Sequence, residues 1–336
     1  MFFIDKYCPK TIEDAYFHKN DLLKLATMSK DDSLPHIIFY GPDGCGKKTI
    51  IKLFLEMIYD EHVHKLNDSI YMVTGSGNST TEVAIKQSNY HIVIEPNNNN
   101  FDRYLIQDVV KEYAKRIPLG VFTAKKIFKT VLINNVDNLS YYAQTSLRRT
   151  MEKFSGTCRF IMWSRSLSKV IDPLKSRSYC FRIKAPQDHE LLNFIYDIAV
   201  NENIKTSFKK VNRMLSLANG NIKKVLWLLE LSKLDDTFET SYETIIKEII
   251  DLILSNDLKQ LLEIRELLYK IMITNISGTQ IIKDITDQLI TKNILNKNKI
   301  DIVEMASIFE HNLIRGRREI KHLETFITSV MYINKN

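Results

Sequence analysis

The chain of 336 residues has little cysteine, glycine, proline or tryptophan, and no long apolar run. Its four cysteines (Cys8, Cys45, Cys158 and Cys180) form no CxxC pair and no metal-ligand spacing. That excludes a zinc module and a disulfide scaffold, and the thiols read as free in a reducing compartment. Only 10 Gly and 7 Pro are spread over this length, which disfavours a loop-rich β sandwich. No apolar run approaches the ~18 residues that span a bilayer, so no membrane role is expected. Met1 to Pro9 carries Asp5 and Lys6 inside a short apolar stretch and lacks the layout of a secretory signal, so a soluble intracellular protein is expected. What is present is ordinary: 44% hydrophobic and 26% charged residues, enough for two domains or three small ones. The excess of 47 Lys+Arg over 40 Asp+Glu, a net charge of +7, is compatible with a polyanionic partner without requiring one.

Apolar runs alternate with helical patterns in the first half. His36–Tyr40, His91–Ile94, Phe128–Ile133, Arg159–Trp163 and Tyr179–Ile183 read as buried strands. Helical periodicity marks Lys47–Tyr59, Phe101–Arg116 and Ser140–Phe154. Such alternation implies βαβ units and a parallel sheet covered on both faces. The polar run Asn97–Asn100 reads as a solvated loop. After Ala185-Pro186 strand signals vanish. Gln187–Asn201, Thr206–Ala218 and Asn221–Leu231 read as a three-helix unit, Lys233–Ser241 as a linker, and the remainder as five helices. The expected architecture is an α/β P-loop domain over residues 1–184, a helical lid over 185–235 and a helical bundle over 236–336.

Gly41-Pro42-Asp43-Gly44-Cys45-Gly46-Lys47-Lys48-Thr49 lies between a predicted strand and a predicted helix. In that setting glycines let backbone N–H groups curl around phosphates, the helix start adds positive dipole, and Lys47 reaches the outer phosphates. The position after the lysine calls for Ser or Thr to ligate Mg²⁺, and here it is Lys48. Thr49 is one residue on and turned by about 100° around the helix. The strand Val131–Ile133 is placed to end in metal-holding and water-orienting acids, yet it ends in Asn134-Asn135-Val136-Asp137. Asparagine neither takes a proton nor neutralises a metal. Nucleotide binding with weak or absent hydrolysis is therefore expected, with magnesium left open. A stand-alone P-loop NTPase or small-molecule kinase, and a scaffold that has lost its nucleotide, stay as alternatives.

Further segments carry a family resemblance from end to end. Asp5-Lys6-Tyr7 with Pro9, Gly46-Lys47-Lys48-Thr49, Ser88-Asn89-Tyr90-His91, Leu147 to Lys153, Thr157-Cys158-Arg159, and Glu310-His311 with Leu313, Gly316, Ile320, His322-Leu323-Glu324 and Phe326 are similar to the small subunits of replication factor C. These are subunits of the eukaryotic AAA+ sliding-clamp loader. The resemblance implies an AAA+ domain, a lid and an oligomerising collar. It also implies ATP as the nucleotide, with Tyr7 and Pro9 at the adenine and Lys223 as the lid's phosphate sensor, while Arg165 stands where a strand-end Asn is usual. Ser176-Arg177-Ser178 matches the motif whose arginine enters a neighbouring subunit's ATP site. Arg103, Gln107 and Lys111, on a helix similar to the family's DNA-contacting one, would follow the backbone of primer–template DNA. Arg148 and Arg149 lie on the helix that would face the next subunit, only one of the two reaching it because neighbours on a helix diverge by about 100°. The implied partners are sister subunits in a heteropentamer and a ring-shaped clamp of the PCNA type. The implied address is the nucleus, or a viral replication site if the source is a virus.

Overall fold

Strand β1 (His36–Tyr40) carries Ile37, Ile38 and Phe39, all fully buried, so both of its faces are covered. That is the pattern of a central parallel strand, and the sheet is built around it. The computed structural model describes every residue except 32, 75–79, 97–101, 116–127, 234–240, 256–259, 275, 293–295, 317 and 336. The expected loop at Asn97–Asn100, both ends of the helix expected over Phe101–Arg116 and most of the expected linker lie outside the described residues. Contacts divide the chain into two units, Met1–Asp236 and Thr237–Asn336.

In the first unit, β2 (Asn67–Thr74), β3 (Thr80–Gln87), β4 (His91–Ile94), β5 (Lys129–Ile133), β6 (Cys158–Ser164) and β7 (Ser178–Arg182) join β1 in one sheet, in the order β2-β3-β4-β5-β6-β1-β7. The five strands expected from the sequence pair in parallel. The sheet is thus predominantly parallel, as expected, and becomes mixed at one edge through two strands the sequence did not reveal. β2 and β3 form an antiparallel hairpin on the β4 edge, with Asn67 opposite Gln87 and Thr74 opposite Thr80.

Helices cover both faces according to the alternation of β1. Ile37 and Phe39 pack with Leu22 and Leu25 of α2 (Lys19–Lys30) and with Ile50, Phe54 and Ile58 of α3 (Lys47–Ile58). Ile38 faces the other way, with Val131, Ile133 and Phe160, into a cluster completed by helices on that side. There α4 (Asp102–Leu105) passes through a π-helical turn (Ile106–Val110) into α5 (Lys111–Lys115), beside α6 (Tyr141–Lys153). The Ser140 hydroxyl starts α6 by accepting from the Ala143 N–H at 3.3 Å. A short α7 (Asp172–Lys175) precedes β7.

Three capped helices, α8 (Asp188–Asn201), α9 (Phe208–Ala218) and α10 (Ile222–Leu231), pack on one another. The N-terminal turn α1 (Phe3–Lys6) contacts α10, and the Phe3 N–H donates to Glu230 at 3.2 Å. At the end of α8 the Glu202 carboxylate accepts from Lys6 at 2.5 Å, Tyr7 at 3.0 Å and Lys233 at 2.8 Å. Hydrogen bonds from Lys233, Lys6 and Tyr7 hold its pKa at about 2, below the ordinary 4.5. A carboxyl depressed in the folded state stabilises fully above its unfolded pKa and loses that contribution as pH falls through the folded one. Thermal melts of wild type and Glu202→Gln are therefore expected to differ at neutral pH, to converge between pH 4.5 and about 2, and to coincide below.

The second unit is α-helical: α11 (Ser241–Ser255), α12 (Leu261–Ile273), α13 (Gly278–Thr291), α14 (Asn296–Arg315) and α15 (Glu319–Lys335). Its core is an isoleucine-rich stripe, with Ile246, Ile249, Ile250 and Ile253 of α11 facing Ile281 and Ile285 of α13 and Phe326 and Ile327 of α15. Among the described residues no helix is long and apolar enough to cross a membrane.

Candidate nucleotide site

The Gly41–Thr49 segment turns from the carboxyl end of β1 into α3, as its sequence predicts. Gly44 (φ 74°) and Gly46 (φ 94°) sit in the left-handed region that disfavours side chains. A Cβ on Gly41 would lie 2.1 Å from the Ile183 carbonyl oxygen, and one on Gly44 would strike the Asn221 amide at 1.8 Å. The loop is thus pressed between β7's continuation and the start of α10, where the Ile222 N–H donates to the Gly44 carbonyl at 3.0 Å. Lys47 is buried, and its ammonium donates to the Gly41 and Pro42 carbonyls at 2.7 Å each. Burial pulls its pKa below the ordinary lysine value.

Beside this loop lies a cavity of about 790 Å³. It brings together Tyr7, Pro9, Asp43, Gly44, Cys45, Gly46, Lys47, Lys48, Thr49 and Lys223. Gly41 and Pro42 do not line it and contribute the carbonyls that hold Lys47. Sequence reasoning missed the apolar end of the cavity. Tyr16 and Phe17 meet Phe194 of α8 with ring centroids 5.0 and 4.9 Å apart, and Ile222 and Leu226 of α10 add to the wall. The dimensions, the helix start and an apolar end for a base fit a nucleotide.

Trp163 is the other residue missed. The register sets Trp163 opposite Phe39, the penultimate residue of β1, and Met162 opposite Ile133, so the indole falls between the phosphate loop and Asn134. Its Nε1–H donates to Asn134 Oδ1 at 2.8 Å, and Asn134 Nδ2 donates to Glu95 at 2.7 Å. An indole only donates, so this arrangement also settles which way the amide faces. Of the three residues, Trp163 alone lines the cavity. The Lys47 and Lys48 ammonium groups lie 5.4 and 5.5 Å from the indole centre.

Magnesium does not fit these residues. Lys48 occupies the place of the metal-ligating hydroxyl, and Asn134 and Asp137 do not line the cavity. The three carboxylates that do are engaged: Asp14 with Thr11 at 2.8 Å, Asp43 with Arg165 at 3.2 Å and Asp197 with the Tyr16 hydroxyl. Arg165 itself lies outside the cavity lining, while Lys223, within it, sits 5.1 Å over the Trp227 ring.

Arg177 is placed elsewhere. It precedes β7, is exposed and does not line the cavity. Its Nε pairs with Glu152 at 2.5 Å and one terminal nitrogen donates to the Pro173 carbonyl at 3.0 Å. Arg148 approaches the same Glu152 oxygen at 3.6 Å, whereas Arg149 is exposed on the next face of α6. Glu152 was not among the expected site residues. Arg103 and Lys111 are exposed and Gln107 is half-buried, and the Arg103 guanidinium lies 6.0 Å from the Tyr142 ring.

Comparison with known proteins bears on the family. Residues 242–336 match the family model described as replication factor C subunit 3, C-terminal domain, and residues 18–187 match that of the DNA polymerase III delta subunit. The chain is 38% identical to a protein of Acanthamoeba polyphaga mimivirus named as a replication factor C small subunit, over 100% of this chain and 93% of the relative. It is 34% identical to replication factor C subunit 5 of Saccharomyces cerevisiae, over 98% of each. Identity to human replication factor C subunit 3 is 31%, over 99% of this chain and 96% of that one. An α/β P-loop unit with helices after it, a helical C-terminal unit and full-length similarity converge on one conclusion: the chain belongs to the replication factor C small subunits, the AAA+ clamp-loader family of DNA replication.

Proposed function

We propose that this clamp-loader subunit holds ATP in its own cavity with little or no hydrolysis and supplies Arg177 to the ATP of a neighbouring subunit. The observation that carries this reading is the separation of parts. The phosphate loop, Tyr7, Pro9 and Lys223 share one cavity, while Arg177 is exposed outside it, where an incoming protein surface can meet it. A guanidinium offers two parallel N–H groups to phosphate oxygens and stabilises charge that grows on the transferred phosphoryl group. At the end of β5, where such enzymes carry the acid that orients water, this chain has Asn134, whose amide is spent on Trp163 and Glu95.

In this account residues 1–184 bind the nucleotide, 185–235 close over it and 236–336 form a collar in a heteropentamer of sister subunits. Exposed apolar side chains in the C-terminal unit support a shared surface: Ile273 is 84% and Ile300 70% exposed. Of the neighbouring pair Arg148 and Arg149, which diverge by about 100° around α6, one faces the next subunit. Arg103, Gln107 and Lys111 follow the phosphate backbone of primer–template DNA, each neutralised phosphate adding about 0.9 to the salt slope of affinity. The complex loads a PCNA-like ring in the nucleus or at a viral replication site.

Lys47→Ala tests the nucleotide reading. Losing one buried, charge-assisted phosphate contact is expected to weaken ATP binding about 10²-fold in equilibrium dialysis. Undetectable binding by the wild-type chain would support a nucleotide-free scaffold instead. Rapid turnover by the isolated chain would support a stand-alone NTPase.

A further inference from the structure

The mismatch between this cavity and magnesium has a positive counterpart in Lys48. Resting on the nucleotide reading above, we propose that the cavity takes its nucleoside di- or triphosphate as the metal-free anion, with the Lys48 ammonium placing positive charge where a divalent cation would otherwise sit and the Trp163 indole seating it. Four observations carry this. Lys48 is the second residue of α3 and lines the cavity, so its stem starts where a metal-ligating hydroxyl would. Its ammonium lies 5.5 Å from the Trp163 ring centre, within the range in which the negative face of an aromatic attracts a cation. The indole is tethered through Asn134 to Glu95, which fixes the seat. The strand-end position that would hold a hydrated metal carries the uncharged Asn134, whose amide is spent on Trp163 and Glu95.

The chemistry favours the same assignment. Mg²⁺ requires near-octahedral oxygen ligands at about 2.0–2.1 Å and loses its water reluctantly. An ammonium has three donors and no lone pair, so it repels that ion while satisfying phosphate oxygens directly. Lys47 and Lys48 together place two positive charges beside one indole, whose cation attraction offsets their mutual repulsion. One prediction of this arrangement is unusual for a P-loop: a chelator leaves the bound nucleotide in place.

Trp163 is itself the reporter. The chain has two tryptophans, and Trp227 is exposed and outside the cavity lining, so Trp227→Phe leaves Trp163 emission as a cavity signal. ATP and ADP are titrated into this full-length chain in excess magnesium and in excess EDTA, with calorimetry on the wild type. The expected result is a dissociation constant equal within about twofold in the two buffers. Lys48→Thr is expected to lose about tenfold in EDTA and to regain affinity when magnesium is added, whereas Lys48→Arg keeps the metal-independent behaviour. Tightening of the wild type by tenfold or more with magnesium overturns the proposal and leaves nucleotide binding standing. So does a Lys48→Thr chain that binds like wild type in EDTA. Binding in neither buffer overturns the nucleotide reading and this inference with it.

Discussion

In the assembled complex, Arg177→Ala is expected to lower ATP turnover at the adjoining subunit's site by about 10³-fold, the lower end of what a trans arginine contributes and equal to about 4 kcal/mol of transition-state stabilisation. The effect falls on kcat more than on nucleotide affinity, because the contact strengthens as charge builds on the phosphoryl oxygens. Folding is not the cause of the loss. Arg177 and Glu152 are 39% and 41% exposed, and an ion pair in such surroundings contributes about 0–1 kcal/mol. Arg177→Lys keeps the charge and loses the planar fork, so it restores little. Asp137→Asn, on a residue outside the chain's own cavity lining, leaves the complex close to wild-type turnover. Steady-state and single-turnover ATPase assays on reconstituted complexes read all three.

The second large effect is on the C-terminal unit. Phe326 is fully buried on α15, and its ring meets that of Phe309 with centroids 6.0 Å apart and planes at 63°. Phe326→Ala removes that edge contact and opens a cavity among Ile and Leu side chains that cannot collapse completely, at a cost of about 3–5 kcal/mol. In urea unfolding of the full chain the transition of this unit shifts to lower denaturant, while nucleotide binding by the first unit persists. Tyr332→Ala, at a residue 69% exposed on the same helix, changes stability by less than about 0.5 kcal/mol. If the unit is the collar, Phe326→Ala also abolishes co-elution with sister subunits in size-exclusion chromatography.

The central strands were readable because parallel strands covered on both faces become unbroken apolar runs, as His36–Tyr40 does. The β2–β3 hairpin was not. Its inward residues Tyr71, Val73, Val83 and Ile85 do alternate, but Ser, Thr and Asn dilute the signal, and the exposed Ile70 and Met72 put apolar residues on the wrong face. Pairing at the sheet edge, rather than local pattern, makes these segments strands. The π-helical turn at Ile106–Val110 was equally hidden, since it inserts a backbone step that side-chain periodicity does not encode.

At the site, the Gly41–Thr49 turn from β1 into α3 could be read because its glycines and its strand-to-helix setting are local. The apolar wall could not, because Tyr16, Phe17 and Phe194 meet only once α8 packs on the N-terminal segment. Trp163 read simply as the end of a strand, and only the register beside β1 and β5 turns it toward Lys48 and Asn134. Glu152 could be seen as part of a matching segment and its i,i+4 pair with Arg148 is local, yet its hold on Arg177 depends on how α6 lies against α7.

The most direct measurement is the distance from the Arg177 guanidinium to the nearest nucleotide phosphate in a structure of the complete complex with a non-hydrolysable ATP analogue. The account predicts hydrogen-bonding range, about 2.7–3.0 Å, to the outer phosphate of the nucleotide in the adjacent subunit. A guanidinium that remains on Glu152 and faces solvent, with no neighbouring nucleotide within reach, would contradict it.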